Sequence, residues 1–144
     1  MTVFLPNINY LTNEKIEQIP IKNEGIISLI RKLNPNKANG SDGISGQMLL
    51  LCDDSVILPL RIIFNNILST AIYPKMWKLA NVTPVFKKGD KQLIKNYRPI
   101  SLLPVCGKIF EKTIFNNLYN HLTTHNLITK TNLDFDLVIP LQTN

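Results

Sequence analysis

The chain has 144 residues, a net charge of +6 and an apolar fraction of 44%. This composition suits one globular domain and excludes a disordered chain, which would carry fewer apolar residues. No apolar run approaches the roughly 20 residues of a membrane-spanning helix, and the start, MTVFLPNINY, lacks the features of a secretory signal. We therefore expect an intracellular protein with no membrane partner.

The positive charge is concentrated in one part of the chain. Residues 75–112 contain nine of the 16 basic residues and only two of the 10 acidic ones. A local basic field of this kind favours polyanions such as nucleic acid or nucleotide phosphates. A solvated lysine-rich surface without a ligand would give the same pattern, so charge alone leaves both interpretations open.

In chain order, residues 1–21 indicate an extended lead-in, and a helix is predicted from Asn23, a candidate N-cap, to the pair Asn34-Pro35. The next segment, KANGSDGISG at 37–46, predicts a loop with positive φ angles at glycine. Its spacing matches neither of the common phosphate-binding glycine motifs. It is therefore weak evidence for a phosphate site.

A long helix is predicted next, with a core-facing stripe and with Asp54 or Ser55 as its N-cap. The predicted stripe consists of Val56, Leu60, Ile63, Phe64, Ile67, Leu68 and Ala71. Two extended stretches follow, at 79–86 and 97–103, and a short basic loop joins them, which predicts an antiparallel pair. From Val105 the helical period returns. The fold class predicted is α+β, with helices packed against a short antiparallel β-hairpin.

Few side chains are placed for catalysis or metal binding. The candidates are Asp134 with Asp136, His121 with His125, and the two cysteines, Cys52 and Cys106. Each pair lacks a third ligand or a base at a recognisable spacing, and the cysteines are expected to be buried, reduced thiols. From the residues alone we predict no catalytic constellation and no metal site.

The basic loop offers a clearer possibility. Lys87 and Lys88 lie at the end of one predicted strand and Arg98 at the start of the next, so they can share one face of a hairpin. Lysine supplies a compact charge for phosphate, while arginine supplies a planar fork that binds it bidentately. Pro99 and Ile100 would add an apolar surface beside these charges.

Two segments carry a family resemblance. LNPNKANGSDGISGQML and YPKMWKLANVTPVFKKGDKQLIKNYRPISLLPVCGKIFEKTIFNNL resemble the amino-terminal part of the reverse transcriptase domain of jockey/LINE-type non-LTR retrotransposons. The resemblance covers about residues 25–128. It implies the fingers subdomain of a right-hand polymerase with the start of the palm. The implied division is 1–21 lead-in, 22–128 fingers and partial palm, and 129–144 a divergent, truncated tail.

The resemblance also implies roles for individual residues and for partners. Lys87, or alternatively Lys88, and Arg98 would bind the triphosphate of the incoming deoxynucleotide. The template-binding residues implied are Pro99, Ile100 and Ser101 in the second strand and Gly40 and Gly43 in the glycine-rich loop. The partners implied are an RNA template, a DNA primer and deoxynucleoside triphosphates.

The sequence also departs from the family pattern. Residues 132–136, NLDFD, stand where the family has a glycine- and arginine-containing stretch, and the family's metal-binding aspartates do not occur before residue 144. We therefore expect no cofactor in this chain, Mg²⁺ only in a full-length parent enzyme, and no polymerase activity from this chain alone. The alternatives are a non-catalytic nucleic-acid-binding module and a non-functional retroelement relic.

Overall fold

A computed structural model describes residues 19–125 and residue 127. Pro20–Asn116 form the larger compact unit of the chain. The elements are α1 (Asn23–Arg31), α2 (Gly46–Cys52), α3 (Ile57–Thr70), β1 (Asn81–Phe86), β2 (Tyr97–Leu102) and α4 (Val105–Thr124). Short 3₁₀ turns occupy Asp53–Val56, Lys75–Lys78 and Ile94–Asn96. The predicted α+β class is confirmed, but the predicted packing of helices against the hairpin is not seen, since every residue of β1 is exposed. Most of the predicted lead-in and the whole predicted tail lie outside the described residues.

Helix α1 begins at the predicted residue but is not capped as predicted. Lys22 occupies the N-cap position without a side-chain hydrogen bond, and the Oδ1 atom of Asn23 is buried with no partner. The prediction of Asn23 as N-cap is therefore wrong. The helix ends at Arg31, before the Asn34-Pro35 pair, and the Leu33 N–H donates to the Ile30 carbonyl at 2.9 Å.

Helix α2 is a short element that the sequence pattern did not predict. Ser45 caps it, because its Oγ accepts a hydrogen bond from the Met48 N–H at 3.0 Å. The 3₁₀ turn then leads directly into α3, whose N-cap is Val56 with no side-chain hydrogen bond. The predicted capping of α3 by Asp54 or Ser55 is therefore wrong.

The core of the larger unit is formed by one face each of α1, α3 and α4. Its buried apolar side chains on these helices are Ile26, Ile30, Ile57, Leu60, Phe64, Ile67, Val105, Cys106, Ile109 and Phe110. Four residues of the predicted α3 stripe do not belong to it, since Ile63 and Leu68 are 40% and 37% exposed, Ala71 is exposed beyond the end of the helix, and Val56 is half-buried in the turn before it. Thr113 is buried on α4, and its hydroxyl donates to the Ile109 carbonyl at 2.8 Å, which satisfies the polar group inside the helix.

An aromatic cluster joins α3, the segment after it and α4. Phe64 lies 5.2 Å from Phe110 and 6.1 Å from Trp77 between ring centroids, and Tyr73 lies 5.8 Å from Trp77. Such pairs stabilise a fold by about 0.5–1.5 kcal/mol each beyond the area that they bury. Gly107 makes room for the cluster, because a Cβ there would meet the Tyr73 hydroxyl at 3.0 Å and the Trp77 Cβ at 3.5 Å.

Strands β1 and β2 form a two-stranded antiparallel sheet in which Pro84 pairs with Pro99. The Lys87 N–H donates to the Asn96 carbonyl at 2.8 Å. Because hydrogen-bonded and non-hydrogen-bonded pairs alternate along an antiparallel ladder, Pro84 and Pro99 form a non-hydrogen-bonded pair. Neither proline therefore removes a hydrogen bond between the strands, and each removes a donor from an outer edge.

Candidate nucleic-acid interface

The β-hairpin places two of the predicted phosphate-binding residues on one face. Arg98 pairs with Val85, and Lys87 continues the ladder two residues further along, opposite Asn96. Side chains alternate between the faces of a strand, so Lys87 and Arg98 share a face and stand diagonally across from each other. Diagonal neighbours are about 7–8 Å apart, which long side chains span. Both residues are exposed.

Lys88 is placed differently. It lies beyond the last paired residues, in the bend before Gly89, whose φ of +93° turns the chain. Strand alternation therefore does not bring Lys88 to the face that Lys87 and Arg98 share. Which of the two lysines binds phosphate stays a prediction.

The connection between the strands, which we call the tip loop (residues 87–96), is held by side chains that the sequence interpretation did not single out. Asp90 Oδ1 accepts from the Gln92 N–H at 2.9 Å, and Asn96 Nδ2 donates to the Asp90 carbonyl at 2.7 Å. The Tyr97 hydroxyl donates to the Lys91 carbonyl at 2.9 Å. Asp90 and Asn96 were the signals in the sequence for this loop, because aspartate and asparagine stabilise turns through side-chain hydrogen bonds.

The opposite face of the hairpin carries an aromatic pair. Phe86 and Tyr97 lie directly across from each other, with ring centroids 5.6 Å apart in an edge-to-face arrangement. The Lys91 Nζ lies 5.7 Å from the centre of the Phe86 ring, within the range of a cation–π interaction. This pairing stabilises the two strand ends from which Lys87 and Arg98 extend.

The three residues predicted to contact the template do not share a face. Ile100 lies on the same face as Arg98 and is partly buried, whereas Pro99 and Ser101 lie on the other face and are exposed. A common template contact would therefore have to involve the strand edge or backbone. Their template role stays a prediction.

The two glycines predicted to approach the template have different surroundings. Gly40 is buried, and a Cβ there would collide with the backbone of Pro104 and come within 2.6 Å of the Leu103 carbonyl carbon. Gly43 is exposed with a φ of +73°, and a Cβ there would meet nothing within 4 Å. Packing alone accounts for the glycine at position 40, whereas no atom packs against the position of a Cβ at Gly43. The template role of each stays a prediction.

The same loop is tied to the segment that precedes β1. The Ser41 hydroxyl lies 3.0 Å from the Leu79 carbonyl oxygen, to which it donates. Together with the contact of Gly40, this bond fixes the glycine-rich loop against both ends of the hairpin segment.

Cys106 is buried as predicted, whereas Cys52 is exposed, so the prediction of burial is wrong for Cys52. Titratable groups near the start of α4 are partly buried. Burial, reinforced by the Asp42 carboxylate, raises the pKa of the Cys106 thiol to about 11, so this thiol stays protonated at neutral pH. Burial and the neighbouring Lys37 lower the pKa of Lys108, while Glu111 acts in the opposite direction. Burial and the Glu111 carboxylate raise the pKa of Tyr73 to about 12, and the Tyr73 hydroxyl donates to Glu111 Oε1 at 3.1 Å.

No metal-ligand set is present in the described part of the chain. Among residues 19–125 and residue 127, no group of three His, Cys, Asp or Glu side chains is arranged to hold a metal ion. The rings of His121 and His125 lie 4.4 Å apart near the end of α4. Asp134 and Asp136 lie outside the described residues. Within that same portion, no helix combines the length and apolarity needed to cross a bilayer.

These features define an α+β unit with an exposed basic hairpin on a small helical core. No protein-family model matches the chain. It is 34% identical over 119 residues to the RNA-directed DNA polymerase from mobile element jockey of Drosophila funebris, covering 82% of the chain and 13% of that protein. It is 38% identical over 96 residues to the jockey polymerase of Drosophila melanogaster, covering 66% of the chain and 10% of that protein.

A third relative extends the comparison beyond jockey itself. The probable RNA-directed DNA polymerase from transposon BS of Drosophila melanogaster is 34% identical over 110 residues, which cover 76% of the chain and 12% of that protein. The chain belongs to the family of RNA-directed DNA polymerases of jockey and other non-LTR retrotransposons. The matched part covers only 10–13% of the length of these three curated relatives.

Proposed function

We propose that this chain is the fingers region of a reverse transcriptase, with the start of the palm, and that its hairpin binds the triphosphate of an incoming deoxynucleotide. The observation that carries the proposal is the strand register, which sets Lys87 and Arg98 on one exposed face. The family membership supports it, since the curated relatives are named as RNA-directed DNA polymerases.

The two side chains complement each other chemically. The Lys87 ammonium is a compact charge that contacts a phosphate oxygen from many directions, whereas the Arg98 guanidinium binds two oxygens of one phosphate in a fixed plane. Val85 lies across from Arg98 on the same face, so the guanidinium stem has an apolar surface to lie on. A polyphosphate would therefore be held along one face of the hairpin.

The second part of the proposal is that the neighbouring surface carries the RNA template. Ile100 lies two residues beyond Arg98 on the same face, and Gly43 offers an exposed backbone without a side chain. Additional lysines in the tip loop would neutralise template phosphates. Binding would then depend strongly on salt concentration, because each neutralised phosphate releases counterions.

The proposal assigns no metal-dependent step to these residues. Polymerases of this kind use two Mg²⁺ ions to stabilise the attacking and leaving oxygens. The described residues offer no matching set of ligands. The hairpin's part is limited to binding and orienting phosphates.

Equilibrium titration of the 144-residue chain with a deoxynucleoside triphosphate tests the proposal, with the corresponding nucleoside as the reference ligand. We expect the triphosphate to bind more tightly, and the variant Lys87→Ala/Arg98→Ala to lose the difference. The matched control is Lys22→Ala/Arg31→Ala, which also removes one lysine and one arginine from exposed positions at the ends of α1. Equal losses in both variants would show that net charge, and not the hairpin, determines binding.

A further inference from the structure

The tip loop exposes two large apolar side chains. Leu93 is 43% exposed and Ile94 is 91% exposed, which makes Ile94 the most exposed large apolar side chain among the described residues. Nothing in the fold of the larger unit accounts for an isoleucine at this position, since it covers no core residue. Single exposed apolar side chains are common on protein surfaces, whereas two consecutive ones within a lysine-rich loop resemble the apolar patches with polar rims that mark contact sites.

The loop holds this pair in a defined position. The Leu93 N–H donates to the Asp90 carbonyl at 3.3 Å, and the Asn96 N–H donates to the Leu93 carbonyl at 3.0 Å. Ile94 opens the 3₁₀ turn that leads into β2. With the side-chain bonds of Asp90, Asn96 and Tyr97, the backbone on both sides of the apolar pair is fixed. The exposure is therefore built into the loop.

The charge around the pair indicates the partner. The tip loop carries four lysines, all exposed, at positions 87, 88, 91 and 95. Its one acidic residue, Asp90, already accepts a hydrogen bond from the Gln92 N–H. A polyanion therefore fits the charge of this surface. An acidic side chain of a partner protein could pair with the lysines, but it would have no group that covers the apolar pair. Proteins that bend a duplex insert apolar side chains such as leucine and isoleucine between base steps and partly unstack them, while cationic residues contact the nucleic acid nearby.

We propose that Leu93 and Ile94 form a wedge that binds the junction between single-stranded and duplex RNA. Lys88, Lys91 and Lys95 of the tip loop hold the phosphates of the two diverging strands, and Ile94 covers the face of the terminal base pair. The proposal rests on nucleic-acid binding by the hairpin and adds a preference for a fork. A wedge at this position would help to keep a structured template open ahead of the nucleotide-binding face.

The test measures binding of the 144-residue chain to three RNAs of related sequence, namely a forked duplex with two unpaired arms, a blunt duplex and a single strand. We expect the fork to bind about tenfold more tightly than the blunt duplex, as the partial burial of one isoleucine and one leucine allows. The variant Leu93→Ser/Ile94→Ser should lose this preference and keep its affinity for the single strand. 2-Aminopurine at the terminal base pair should brighten with the unmodified chain and not with the variant.

Ile72→Ser is the matched control, because Ile72 is 71% exposed and lies outside the tip loop. Loss of the fork preference in this control, or its persistence in the Leu93/Ile94 variant, overturns the wedge. Failure to bind any of the three RNAs overturns the proposed function as well. Binding to phosphatidylserine vesicles that depends on Leu93 and Ile94, without a fork preference, would reassign the pair to a membrane surface.

Discussion

Replacing Gly40 by alanine should destabilise the larger unit strongly. A Cβ at this position would collide with the Pro104 backbone nitrogen, and would lie 2.5 Å from the Pro104 Cα and 2.6 Å from the Leu103 carbonyl carbon. All three atoms belong to the backbone, so no side-chain rotation relieves the overlap. Overpacking of this kind costs about 1–3 kcal/mol, and we expect Gly40→Ala to lie near 3 kcal/mol.

Two other glycines provide internal controls for the same substitution. Gly25 lies in α1, and a Cβ there would meet nothing within 4 Å, so Gly25→Ala should stabilise the helix by about 0.5–1 kcal/mol. Gly43 is equally open but has a φ of +73°, so Gly43→Ala should cost about 1–2 kcal/mol through backbone strain alone. The three positions thus separate overlap, helix propensity and backbone strain.

Urea unfolding followed by circular dichroism measures the three free energies of unfolding directly. The order expected is Gly25→Ala above the unmodified chain, then Gly43→Ala, then Gly40→Ala. For a unit of this size, a loss near 3 kcal/mol corresponds to a fall in melting temperature of about 10 °C or more. If Gly40→Ala were as stable as Gly25→Ala, the close approach of the glycine-rich loop to the start of α4 would be refuted.

Three further predictions concern ionisation, thiol reactivity and catalysis. The unfolded Tyr73 loses its proton near pH 10 and the folded one near pH 12, so the free energy of unfolding should fall as pH rises through this interval, and Tyr73→Phe should reduce that slope in urea titrations. A maleimide should label the exposed Cys52 quickly and the buried Cys106 only on unfolding, as mass spectrometry would show; equal rates would contradict the burial of Cys106. Primer extension on an RNA template with Mg²⁺ should give no product with this chain alone, and incorporation of nucleotides would refute that expectation.

Helical and strand periodicity predicted most of the fold correctly. The 3.6-residue spacing that begins at Ile26 and returns after Val105 identified α1 and α4, because each helix buries one apolar face. The hairpin followed from two extended stretches around a polar loop. The sequence did not define the register of the two strands. In the structure Pro84 pairs with Pro99, and this pairing removes no hydrogen bond between the strands.

Local ambiguity explains the predictions that were wrong. Helix α2 has only seven residues and a nearly continuous apolar run, GQMLLLC, so it shows no amphipathic period. The capping predictions for α1 and α3 were wrong because Asn, Asp and Ser near a helix start also fit inside its first turn or in a 3₁₀ turn before it. Ile63 and Leu68 have the hydrophobicity of core residues but lie at the margin of the buried α3 face.

The candidate site was predictable as a set of charges and not as a geometry. Composition located the basic segment, and the family resemblance singled out Lys87 and Arg98. Sequence could not show that Lys87 and Lys88 lie differently relative to Arg98, since that depends on where strand pairing ends and on the positive φ of Gly89. The burial of Gly40 was also invisible, because Pro104, its contact, is 64 residues away along the chain.

The salt dependence of deoxynucleoside triphosphate binding tests the central claim most directly. Salt screens the attraction between exposed cations and phosphate oxygens, so the affinity of the unmodified chain should fall as the salt concentration rises. We predict that Lys87→Ala/Arg98→Ala lowers the affinity at low salt and flattens this dependence, while Lys22→Ala/Arg31→Ala leaves both unchanged. Unchanged affinity and salt dependence in the hairpin variant would contradict the claim that Lys87 and Arg98 jointly bind the triphosphate.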